Sequence, residues 1–480
     1  MASLINNVNQ GNQSQLDLLV DAYKRTQQPK VKDLETRKSQ LEARRNFFNG
    51  LNSRLNSLIN SLDKFTLSNS IDNFKKKTVT SSDSSVITAT ATNDADLTSY
   101  NVKVNQLATK DVLLSNQQTL ANNFGLAANT YSFDITVGSN TKTVNVTLDG
   151  SETFETGMKK IVNAINNTTD IGVKAAFVKD SSSTGRISIT SNELGADNRI
   201  QFTDSAILTN IGIDTTTLQP NSTNRTVSTN TNAGFIKADY NQLNSKLVVN
   251  NIEITRSTNT IDDAIDGITF NLLKAQGVND NEVLLTTEVD ANGVKSFIEP
   301  LLKDINELLN FISSNATQRR GDSAINNLSN QLRSIPSGNL NPNGGNNEIK
   351  FLSDIGIKID KNGNLSINDI EKLKNKLIQS PNQIYNLFAG ADGLVTKLND
   401  AIEPFKGESN LIRSRTNSLN NLIDQNVKKT TELKNRIDIQ AESLRKQYLG
   451  YMKAMNAAQS QYSLLNTFSI DRSGYNSLLI

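Results

Sequence analysis

The sequence predicts an α+β multidomain fold: long N- and C-terminal helices form a coiled-coil leg, and a β-rich head of two domains is inserted between them. Three observations carry this. From Ile423 to Leu465 one set of residues steps by seven (Ile423, Thr430, Ile437, Leu444, Tyr451, Ala458, Leu465), and a second set interleaves with it (Val427, Lys434, Ala441, Tyr448, Met455, Tyr462). Spacings of four and three put both sets on one helix face, which needs a partner helix to bury it. A matching face lies near the other end of the chain: Leu34, Leu41, Phe48, Leu55 and Leu62, with Leu51, Leu58 and Phe65 beside it. The stretch between the two faces reads mostly as strands.

In chain order, residues 1–29 and 466–480 are expected to be terminal segments, disordered in the monomer. Within the first, Leu16, Leu18, Leu19, Val20 and Tyr23 make a short amphipathic turn. Pro29 fits the first position of a helix, where its missing N–H costs nothing. That helix runs to roughly Leu67. Residues 30–77 and 289–465 are assigned to the leg, 78–109 and 235–288 to a β-rich head domain, and 110–234 to an inserted outer head domain.

The strand assignments rest on period-two alternation. Tyr100, Val102 and Val104 alternate with Asn101, Lys103 and Asn105. Tyr131, Phe133, Ile135 and Val137 precede the turn residues Gly138, Ser139 and Asn140, and Val144, Val146 and Leu148 follow. This reads as a hairpin with one wet face. Ser151 is the expected N-cap of a helix that puts Phe154, Met158, Ile161, Val162 and Ile165 on one face. Strands at Val173–Val178 and Arg186–Thr190 complete a ββαββ unit. Residues 219–234 read as a polar linker. Strands resume at Lys246–Thr255 and Val283–Glu288. Helices follow at Val294–Ile312 and Ile370–Ile378, with a loop at 336–347 and a short hairpin at Ile355–Ile367 between them.

Composition narrows the function. Of 480 residues, 36% are apolar and 5% aromatic, with no Trp, so cores are built from Val, Ile, Leu and Ala. The chain has no Cys and no His. Disulfides, thiolate metal sites and cysteine nucleophiles are excluded, and the commonest general base is missing. Fifty basic residues balance 48 acidic ones, for a net charge of +2, so no broad field draws nucleic acid or anionic lipid. The run Lys75–Lys77 reads as a solvated link rather than a phosphate site. No segment approaches the ~20 apolar residues of a membrane helix. The N-terminus lacks the basic and apolar regions of a cleaved secretory signal, which implies either a cytosolic protein or one that leaves by another route.

Two weaker signals point away from chemistry. Asp360, Asn362, Asn364 and Glu371 fall at positions of a calcium-loop pattern, but the position normally held by Gly is Leu365. Asn362-Gly363 between short apolar runs reads better as a hairpin turn. The cluster Asp262, Asp263 and Asp266 lacks the aromatic platform of a glycosidase site. No catalytic, cofactor-binding or metal residue is assigned.

Taken in order, several segments resemble the flagellar hook-associated protein 2 family, the filament caps of bacterial flagella. They are LDLLVDAYKRTQQP (16–29), YNVKVNQLA (100–108), MKKIVNAINNTTDIGVKAAFV (158–178) with GRISITSNELG (185–195), IDDAIDGITFNLL (261–273), FLSDIGIKIDKNGNLSIND (351–369) and IYNLFAGADGLVTKL (384–398), followed by the terminal coiled coil. The resemblance implies a non-catalytic subunit of a homo-oligomeric ring, taken as a pentamer, at the distal tip of the flagellum. It implies heads forming a plate and legs pointing down, with exported flagellin folding beneath and joining the filament. Further implied partners are the hook–filament junction proteins, the flagellar export apparatus and an export chaperone, with no nucleic acid and no membrane insertion. The implied location is extracellular, reached by the flagellar type III route without a cleaved signal. The expected assembly seam is Leu34, Leu41, Phe48, Leu55, Leu62, Ile423, Val427, Ile437, Leu444, Tyr448, Tyr451, Met455, Tyr462 and Leu465. Two alternatives stay open at this stage: another axial protein such as a junction protein, and a tip-exposed adhesin using the polar loops at 179–184 and 219–234.

Overall fold

A computed structural model describes residues 2–342, 348–408 and 410–475, with side chains described within 15–465. The chain forms two compact units, one from residues 72–294 and 374–381, the other from the remaining segments.

The helical unit is framed by the N-helix, Ala2–Thr66, and the C-helix, Leu411–Tyr475. The N-helix does not start at Pro29, as the sequence suggests; Pro29 lies inside it. A proline within a helix removes one donor and crowds the preceding turn. Here the helix is held on both sides of that position: Tyr23 and Lys24 bond Gln440 and Asp438 of the C-helix, and Glu35 bonds Lys434.

Toward its C-terminal end the N-helix enters a core. Phe48, Leu51, Leu55, Leu58, Leu62 and Phe65 are buried. They face the helix Ala291–Ser314, whose Leu301, Ile305, Leu308 and Ile312 are also buried. Phe65 lies 4.6 Å from Phe297 and 5.6 Å from Phe388, ring centre to ring centre, and Phe47 stacks on Phe311 at 5.5 Å. Gly50 permits the close approach: a Cβ there would sit 2.7 Å from the Phe311 ring. Three further helices, Ser323–Ser337, Pro381–Ala389 and Leu394–Ile402, were not read from the sequence pattern. The short hairpin is present as Ile357–Ile359 paired with Leu365–Ile367. Asp360 accepts from the backbone N–H groups of Asn362 and Asn364, both at 2.8 Å, and Gly363 takes φ +88°. These bonds hold the Asp360 carboxyl below its usual pKa, and they favour the turn over the calcium loop.

The strand-rich unit has two separate cores. In the inner one, an antiparallel sheet runs in the order Lys77–Ser81, Val283–Val289, Ser99–Gln106, Ser245–Val249, Ile252–Arg256. A second sheet, Thr260–Ile265, Ile268–Leu272, Ile87–Ala91, packs over it through Val102, Leu247, Phe270 and Leu285. The expected single strand Lys246–Thr255 is in fact a hairpin. Asn250 and Asn251 take φ +47° and +69°, a tight turn that Asn tolerates without glycine.

The outer core holds the ββαββ order, with its two hairpins in different sheets. The first, Asn129–Val137 with Asn140–Leu148, adds Ile200–Phe202; the second, Val173–Lys179 with Thr184–Leu194, adds Lys110–Leu114. Met158, Ile161, Val162 and Ile165 of helix Phe154–Asn167 are buried in this core. The N-cap is Thr153, not Ser151: Thr153 and Thr156 close a capping box, while Ser151 bonds Asp149. Residues 219–234 are no free linker. Arg225 is fully buried, forks onto Asp111 at 2.8 and 3.1 Å, and lies 4.0 Å over the Phe235 ring. A segment rich in Ser, Thr and Asn is thus anchored by one charge, a feature that polarity alone conceals.

Candidate assembly interface

The candidate site is the coiled coil of the N-helix and C-helix. The helices run antiparallel, since Gln15 meets Tyr448, Asp17 meets Arg445 at 3.1 Å, and Lys24 meets Asp438 at 2.9 Å. On the N-helix, Leu34 and Leu41 are half-buried, and Phe48, Leu55 and Leu62 are buried. On the C-helix, Ile423 and Ile437 are buried and Leu444 and Tyr448 half-buried. Val427, Tyr451, Met455, Tyr462 and Leu465 are exposed.

Val427 and Lys434 do not line the seam because the register differs there by one residue. Asn426 and Leu433 point inward instead, giving Leu419, Ile423, Asn426, Thr430, Leu433 and Ile437 in alternating steps of four and three. Beyond Ile437 the seam continues through Ala441, Leu444 and Tyr448. Two steps of four therefore meet at Ile437, a local interruption of the heptad repeat. A single seven-residue ladder drawn through the whole helix passes over it. The apolar Leu433, one place before Lys434, is the sequence signal that marks the earlier register. Lys434 lies outside the seam and bonds Glu35 at 2.8 Å across the helix pair.

Asn426 is a seam residue that the pattern did not assign. It is buried, and its side-chain oxygen has no hydrogen-bond partner among the described residues. A polar group at a core position costs stability and fixes register, because few alignments tolerate it.

Past Tyr448 the C-helix carries an uncovered apolar stripe. Tyr451 is 76% exposed, Tyr462 71% and Leu465 68%, with Leu449, Met455 and Leu464 also in the open. An apolar helix face of this length is a surface for a partner. Among the described residues, no group of three or more acidic side chains is placed to hold a metal ion, and no helix is long and apolar enough to cross a membrane.

A helical leg with its apolar stripe half covered, carrying a two-part β head, defines a structural assembly subunit. The chain belongs to the flagellar hook-associated protein 2 family, the filament caps: its N-terminal family model matches residues 13–111 and its C-terminal model residues 242–462. Membership decides for the cap over the junction-protein and adhesin readings. The chain is 25% identical over 389 residues to the B-type flagellar hook-associated protein 2 of Pseudomonas aeruginosa, spanning 78% of this chain and 79% of that one. It is 23% identical over 494 residues to the Escherichia coli K12 flagellar hook-associated protein 2, spanning 97% and 98%. The fold is shared with the crystal structure of domains D1-D2-D3 of the flagellar cap protein FliD from Escherichia coli: TM-score 0.55 at 23% identity, over 78% of this chain and 99% of that one. The stretch between the two family matches holds nearly all of the outer head core.

Proposed function

We propose that this chain acts without catalysis, as a ring-forming cap at the distal tip of the flagellum that promotes folding and insertion of exported flagellin. The uncovered stripe from Leu449 to Leu465 carries the reading, because it is the surface that one protomer leaves for neighbours. Many weak leg contacts in one ring give lasting attachment by avidity, while each contact can still detach and move. A pentameric ring, export by the type III route and a dedicated chaperone are part of this proposal. So are the roles of hook–filament junction proteins as neighbours and the assignment of the seam residues to assembly. The assigned boundaries of leg, inner head and outer head, with ends that order only on assembly, also belong to it.

The test uses a strain lacking this gene. Flagellin is expected as monomer in the medium, with filaments restored by the wild-type chain and not by Leu444→Asp, whose charge faces the seam. The head of that variant is expected to stay folded and soluble. Normal filaments without the gene would refute the proposal.

A further inference from the structure

The outer head ends in a long free strand edge. Asn140–Leu148 pairs on one side with Asn129–Val137 in a register from Val137 opposite Asn140 to Asn129 opposite Leu148. On its other side no backbone partner occurs among the described residues. A two-residue turn at Gly138-Ser139 makes the closing pair a hydrogen-bonded one. Alternation then turns the N–H and C=O groups of Thr141, Thr143, Asn145 and Thr147 outward. All four residues are exposed.

The solvent face of this hairpin is a closed polar ladder. Thr130 bonds Thr147 at 2.9 Å, Ser132 bonds Asn145 at 2.7 Å, Thr143 bonds Asp134 at 2.6 Å, and Thr136 bonds Thr141 at 2.9 Å. On the other face Val144, Val146 and Leu148 are buried in the outer core. The strand is therefore stiff, flat-faced and already in strand geometry. Natural edges are usually guarded by proline, by exposed lysine or by a covering loop. This one holds no proline, and its single charge, Lys142, is half-buried on the core-facing side.

The spacing of the outward groups is self-complementary. A second copy laid antiparallel about a two-fold axis at Val144 puts Thr141 opposite Thr147 and Thr143 opposite Asn145. Every outward residue on one copy then meets an outward residue on the other, for about eight backbone hydrogen bonds at two per pair. The Thr and Asn ladder continues across the join with no charge opposed to a like charge. We infer that Asn140–Leu148 is a docking edge for a second copy of this chain, joining two outer heads into one continuous sheet.

The chain has no native Cys, which makes cross-linking clean. In the full-length Leu444→Asp background, which removes leg assembly, Thr143→Cys with Asn145→Cys places thiols opposite each other across the axis. Mild oxidation is expected to give at least tenfold more covalent dimer than Glu253→Cys with Thr255→Cys on the inner head's edge strand. Adding Thr141→Lys and Thr147→Lys sets like charges opposite each other and is expected to return the yield to the control level. A yield equal to the control, or one unmoved by the lysines while the fold is intact by circular dichroism, would overturn the inference.

Discussion

The two halves of the N-helix live in different physical regimes. From Phe47 to Phe65 nearly every inward residue is fully buried against three or more helices. From Gln15 to Arg45 only Leu16 is buried, and the helix is tied to the C-helix by a handful of polar bonds. The sequence pattern is similar in both halves, with Leu or Phe every three or four residues. What differs is the number of partners: a helix in a multi-helix core buries a wide stripe, whereas one in a two-helix pair buries a narrow seam. The proximal half is a stable foundation, and the distal half is marginal until neighbours cover it.

The largest expected effect is at the foundation. Leu58→Ala removes a side chain with no solvent exposure and is expected to cost about 3 kcal/mol of stability by denaturant unfolding. Leu444→Ala on the distal seam removes a half-buried side chain and is expected to cost about 1 kcal/mol in the monomer. Equal costs at the two sites would erase the distinction between the halves.

A pH titration separates the outer head from the rest. Hydrogen bonds from Ser151, with the ammonium of Lys160, hold Asp149 at about 2. Bonds from the Lys159 and Lys179 ammoniums hold Glu155 at about 2. Both folded-state values lie below the unfolded ones, so their stabilisation is fully present above the unfolded pKa, near 4 to 4.5, and fades as pH falls toward 2. With no imidazole in the chain, the melting temperature is expected to stay nearly flat from pH 5 to 8 and to drop below pH 4. A step near pH 6.5 would contradict this.

The smallest effect is at Lys434. Its pairing with Glu35 is about half exposed on each side, so Lys434→Ala is expected to cost less than about 0.5 kcal/mol, and nothing measurable in high salt.

Much of this architecture was legible in the residues. The two terminal seams, the alternation at Tyr100–Val104 and the hairpin about Gly138-Ser139 rest on periodicity, which backbone geometry enforces. The misses share a cause: each depends on a tertiary partner that periodicity does not encode. Pro29 is carried inside a helix by bonds on both sides of it. Asn250-Asn251 turns where a run of β-branched residues suggests continuity. Arg225 finds Asp111, 114 positions away, and converts an apparent linker into part of a core. At the seam, Val427 and Lys434 yield to Asn426 and Leu433 because a repeat of seven does not hold across Ile437.

The most direct test is amide hydrogen exchange along both terminal helices, in the monomer and in the assembled cap. The account predicts slow exchange at residues 47–65 in both states. At residues 15–45 and 427–465 it predicts fast exchange in the monomer and strong protection after assembly. Equal protection of the distal leg in the two states would contradict it.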